Sequence, residues 1–127
     1  MKTIQNITLV MTQDNLLYNK AINHYLNEFC NKTFSADYQF NIRSFFSAET
    51  GANQINDDVD IVIVDQEIKN VTSGNPGFRL LKKAVTSSHQ PQILFFSPRE
   101  SFSTALIKIK DAIRKKVYKM NAKKRAK

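Results

Sequence analysis

The hydrophobic residues of the chain fall in short clusters separated by polar breaks, and the spacing within a cluster differs from one to the next. Ile4 to Met11 holds Ile4, Ile7, Leu9, Val10 and Met11 with β-branched Thr8 among them, which predicts a buried strand. Thr12, Gln13, Asp14 and Asn15 break it, and Asp14 or Asn15 can cap a following helix. In that helix Tyr18, Ile22, Tyr25, Leu26 and Phe29 recur mostly at steps of three and four, while Asn19, Lys20, Asn23 and Asn27 form a polar face. Strict alternation returns at Tyr38, Phe40 and Ile42, against Gln39, Asn41 and Arg43, and predicts a strand with one face buried.

Ser47 to Ile55 is at most a short helix, because Gly51 lowers its propensity. The clearest strand signal is VDIVIVD at Val59 to Asp65, whose unbroken run Ile61, Val62, Ile63 and Val64 suits a central parallel strand covered on both sides. A loop with Ser73, Gly74 and Pro76 leads to a helix from about Gly77 to Thr86, with Phe78, Leu81 and Val85 on one face. Pro91 precedes the strand QILFFS, and from Phe102 the positions Leu106, Ile109, Ile113, Val117 and Met120 step by four, three, four, four and three, an amphipathic helix.

Strands alternating with helices imply βαβ units and a parallel sheet. The expected fold is α/β: three layers, flavodoxin-like or receiver-like, with a mostly parallel sheet of four or five strands and helices on both faces. At 127 residues there is room for one core and no more. The expected division is a domain over residues 1–120 and a basic C-terminal tail over 121–127.

The net charge of +8 changes the picture only once it is located. Residues 108–127 carry ten Lys or Arg against one Asp, a net +9, whereas the first 107 carry nine against ten, a net −1. Basicity belongs to the C-terminal segment, and the body is close to neutral. Lys115, Lys116, Lys119, Lys123, Lys124 and Arg125, with Lys127 beyond them, are the candidates for contact with phosphates or an acidic partner. No run of apolar residues approaches the length of a membrane span, and the start of the chain lacks a secretory pattern, so the expected location is cytoplasmic with no membrane partner. Cys30 stands alone, and with His24 and His89 it makes no set at metal-ligand spacing. Asp57, Asp58 and Asp60 flank the start of the strand whose far end bears Asp65, so carboxylates do not converge, and no enzymatic activity is expected.

In an open parallel sheet, ligands bind beyond the carboxyl ends of the strands. The readable ends are Thr12 to Asp14, Asp65 to Glu67, and Ser97 to Arg99. In that order the chain resembles a response-regulator receiver, similar to those at the front of LuxR-type transcription regulators. VDIVIVD resembles the family's third strand, LFFS its fourth, and Gly77, Phe78, Leu80 and Leu81 the start of its third helix. The resemblance implies that Asp65 stands at the phosphoacceptor position and Ser97 at the switch hydroxyl, with Lys119 at the family's lysine if KVYKM is a fifth strand. Asp14 and Asp65 would then be the metal-binding carboxylates, with Mg2+ the sole cofactor implied.

Thr12 and Gln13 stand where the family has its acidic pair, and the loop after Asp65 lacks the usual Met-Pro step. The expectation is therefore a pseudo-receiver with no cofactor, a signalling or regulatory domain in transcription control. It would work by contact with a protein partner or a second copy of itself, as a homodimer. In receivers the surface formed by the last strands and helices often makes the dimer, so the stripe Leu106, Ile109, Ile113 and Val117 is either core or interface. Residues 114–120 are either a fifth strand or a continuation of the helix from Phe102, and the regular steps favour the helix. The alternative function is a nucleic-acid-binding protein that uses the basic C-terminal helix and tail. DNA could also be reached through a DNA-binding domain outside this sequence.

Overall fold

The computed structural model describes residues 4–12, 16–34, 37–45, 51, 53, 55, 58–65, 82–86, 90–96 and 101–125, with the backbone alone at 65, 96 and 123–125. Among the described residues the main elements in order are β1 (Gln5–Thr12), α1 (Leu16–Thr33), β2 (Tyr38–Phe45), β3 (Ile61–Asp65), β4 (Gln92–Phe96) and α2 (Phe102–Arg125). The four strands form one sheet in the order β2-β1-β3-β4, and every pair is parallel. This is the three-layer α/β arrangement that the alternation of strand and helix signals implies.

The side-chain period of two explains the two layers around the sheet. From β1, Ile7, Leu9 and Met11 point to one side, and from β3 so do Ile61 and Ile63. There they meet Ile22, Leu26 and Cys30 of α1 and Ala105, Ile109, Ala112, Ile113 and Val117 of α2. Val10, Val62 and Val64 point to the other side, where Ile55, Val59 and Ala84 cover them. Ala84 belongs to the helical residues 82–86. The unbroken β-branched run of β3 thus serves two cores at once, and all of Ile61 to Val64 are fully buried.

β2 and β4 are the edge strands among the described residues. β2 keeps the alternation read from its sequence, with Tyr38, Phe40 and Ile42 packed against the α1 side. The chain enters β4 through Gln90, whose φ of 50° lies in the left-handed region just ahead of Pro91.

α2 starts at a local cap: the Ser101 hydroxyl accepts from the Thr104 N–H at 3.2 Å, and the Ser101 carbonyl accepts from the Ala105 N–H at 3.1 Å. It then runs without a break through Arg125. Residues 114–120 are therefore helical, and no fifth strand forms there. Lys119 is exposed on a helix instead of closing a strand, so the switch role that depended on such a strand has no footing. The helix also continues past position 120, where the tail was expected to begin. The stripe resolves as core: Ile109, Ile113 and Val117 are buried and Leu106 is packed against the same cluster.

Candidate functional site

The sheet order places the switch point between β1 and β3, because the chain leaves β1 to form β2 on one side and returns to form β3 on the other. Thr12 and Asp65 close the carboxyl ends of those two strands, and Asp65 is registered with Phe96 at the end of β4. Asp14 and Ser97 lie outside the described residues, as do Gln13, Glu67 and Arg99.

Thr12 is turned inward. It is buried, and its hydroxyl donates to the Ile63 carbonyl of β3 at 3.5 Å, a long bond that links the two strands flanking the switch point. A small divalent cation is held by several carboxylate oxygens, and Thr12 offers a neutral hydroxyl already turned toward the backbone. At this strand end the described donors do not fit a metal ion. Among the described residues no three His, Cys, Asp or Glu side chains come together.

Next to this end, two asparagines of α1 bind β2. Asn19, read from the sequence as part of a polar face, is buried, and its amide donates to the Phe45 carbonyl at 3.2 Å. Asn23 donates to the Ser44 hydroxyl one turn later. A buried amide needs such partners, and these two fix α1 against the last residues of β2.

At the opposite, amino end of the sheet lies a junction that the sequence reading did not single out. Asp60, just ahead of β3, accepts from the Thr8 N–H at 2.8 Å through its carboxylate, while its own N–H donates to the Thr8 carbonyl at 2.8 Å. Its carbonyl accepts from the Gln92 N–H of β4 at 2.9 Å. The other carboxylate oxygen meets the Lys116 ammonium of α2 at 3.2 Å, with the Asp60 side chain 4% exposed and that of Lys116 28%. One residue thereby connects β1, β4 and α2. A sequence signal existed in hindsight: an acidic residue set between Val59 and Ile61 must either leave the strand or find a cation.

The basic residues of α2 separate accordingly. Lys116 is half-buried and held by Asp60, which sets it apart from the other candidates. Arg114, Lys115 and Lys119 remain on the solvent side, with Lys115 3.2 Å from Asp111. The Arg114 guanidinium and the Lys110 ammonium both lie over the Phe29 ring, 5.0 and 5.2 Å from its centroid. Lys123, Lys124 and Arg125 are on the helix, and their side chains, with Lys127, lie outside what is described. Arg114, Lys115, Tyr118 and Lys119 line a shallow cavity of about 320 Å³ open to solvent.

No protein-family model matches the chain, and no curated protein matches it either. Among the described residues no helix is long and apolar enough to cross a membrane.

Among the described residues, Cys30 and His24 remain as candidates for chemistry. His24 lies 3.6 Å from Glu28, but Lys32 holds the same Glu28 at 2.7 Å, and its hydrogen bond and charge keep that carboxyl below its usual range. Cys30 is 2% exposed, and burial pushes its thiol from the ordinary 9.0 up to about 12. A buried, protonated thiol is a poor nucleophile. A disulfide reagent at neutral pH is expected to leave Cys30 unlabelled in the folded chain and to label it fully in denaturant. The folded state keeps a proton that the unfolded chain releases near pH 9.0. Its stabilising contribution is thus complete below that pH and is lost as the pH rises toward about 12. Urea titrations from pH 8 upward should show the decline, and Cys30→Ala should flatten it.

Proposed function

We propose that the chain is a non-enzymatic signalling or regulatory domain of the atypical receiver kind, one that acts through protein contact or dimerisation, as in transcription regulation. The observation that carries this reading is Thr12, buried at the end of β1 and turned into the sheet where a phosphate-switched receiver needs carboxylates around a metal. Phosphoryl transfer to an aspartate depends on a cation to gather the phosphoryl oxygens. Thr12, the last residue of β1, offers a hydroxyl where such a site needs a carboxylate. A change of state in such a domain comes from what it binds.

Incubation with a small phosphodonor and Mg2+, followed by intact-mass measurement, is expected to give no stoichiometric acyl phosphate. A Mg2+ titration followed by NMR should leave the amides at the ends of β1 and β3 unshifted. Stoichiometric labelling of Asp65 that disappears in Asp65→Asn would overturn the reading and make the chain a working phosphate switch. Sedimentation over a range of concentrations tests the self-contact form independently of that chemistry.

A further inference from the structure

The outward face of α2 holds a combination that neither the core nor the strand ends use. Tyr118 is 73% exposed, although a tyrosine ring is a large apolar surface that folding ordinarily covers in part. Four and three residues before it on the helix stand Arg114 and Lys115, and one residue after it stands Lys119. At 3.6 residues per turn these positions surround the ring, and together they line the shallow cavity of about 320 Å³. We propose that this face is a binding site for single-stranded nucleic acid, with Tyr118 stacked on a base and Arg114, Lys115 and Lys119 on the flanking phosphates.

Three features decide the class of ligand. The charge is concentrated: residues 108–127 carry a net +9 while the rest of the chain is near neutral, so the ring stands within the basic segment. A polyanion with exposed π faces satisfies both the cations and the ring, whereas an acidic peptide leaves the ring without a stacking partner. A duplex hides its base faces inside the stack, which favours a single strand.

Membrane adsorption is disfavoured by the other side of the same helix. Amphipathic helices adsorb by burying their apolar stripe in the lipid. Here Ile109, Ile113 and Val117 are already buried in the protein core. Arg114 is also positioned in advance, because its guanidinium rests on the Phe29 ring at 5.0 Å. Stacking of this kind holds a guanidinium in place while its edge donors stay open to a phosphate.

The site lies at the amino end of the sheet. Lys116 meets Asp60 ahead of β3, and the Tyr38 hydroxyl, at the first residue of β2, hydrogen-bonds Asn121. It is therefore remote from Asp65 and Thr12 and stands or falls independently of the proposal made for that end.

The test is fluorescence anisotropy of the full chain with a labelled single strand of about 15 nucleotides, near the upper limit of common single-module site sizes. A matching duplex, anionic vesicles of phosphatidylserine and phosphatidylcholine, and polyglutamate serve as competing ligands. The expected result is tightest binding to the single strand. Tyr118→Ala should weaken it by about tenfold or more, and Tyr118→Phe should restore it. The double variant Lys115→Gln and Lys119→Gln should reduce the slope of log affinity against log salt by about 1.4, since each neutralised phosphate contributes about 0.7. All three positions are exposed, so circular dichroism should be unchanged. Absence of binding at low salt would overturn the proposal. So would wild-type affinity in Tyr118→Ala, or equal binding of the duplex, the vesicles or polyglutamate.

Discussion

Ile113→Ala is expected to lower the free energy of unfolding by about 3 kcal/mol, the usual scale for removing a large buried aliphatic side chain. Ile113 is fully buried in the cluster that joins α2 to β1, β3 and α1. Truncation removes apolar contact area and leaves a void that tightly packed neighbours fill only in part. The variant should show a lower urea midpoint with an unchanged slope. The loss should also be independent of protein concentration, because Ile113 is covered by its own chain. A loss that shrinks as concentration rises would instead mean that the stripe packs between two copies.

The second large effect is expected at the amino end of the sheet. Asp60→Ala should cost about 3 kcal/mol, because it removes the acceptor for the buried Thr8 N–H and strands the Lys116 ammonium. Lys116→Met should cost about half as much, since 28% of the lysine side chain is exposed and water screens its share of the pair. In the double variant neither charge is left alone. Its cost should therefore fall short of the sum of the two single costs, and chemical denaturation of all four proteins in a double-mutant cycle measures the difference. Strict additivity would mean that the two groups do not interact.

What could be read from the sequence follows from what each signal depends on. β3 was legible because four consecutive β-branched residues suit a strand covered on two sides, and the core there uses both. α2 was legible because its steps of three and four continue without a break, and that regularity correctly favoured a helix over a fifth strand across residues 114–120. The position of Asp60 between Val59 and Ile61 was legible as a sign that it needs a partner, but the partners Thr8, Gln92 and Lys116 were not, because no local pattern links residues so far apart. The ion pair that holds Lys116 was hidden for the same reason. Asn19 was misplaced for a related reason. A polar residue on a helix reads as solvent-facing until a carbonyl such as that of Phe45 is known to lie opposite it. At the candidate site, the neutral residues Thr12 and Gln13 at the end of the first strand were visible at once, whereas the inward turn of Thr12 toward Ile63 required the strand pairing.

The way α2 closes the domain also bears on its synthesis. One face of β1 and β3 is covered jointly by α1 and by Ala105, Ile109, Ala112, Ile113 and Val117, and all the strands precede α2 in the chain. A nascent chain that has made β1 through β4 therefore carries a sheet whose apolar face still awaits the part of its cover that α2 supplies. Such surfaces are prone to aggregate during folding. The helix that supplies the cover carries the strongest positive charge in the molecule on its outer side. During translation, the interval between the completion of β4 and the emergence of Val117 is when this face of the sheet lacks the cover that α2 supplies.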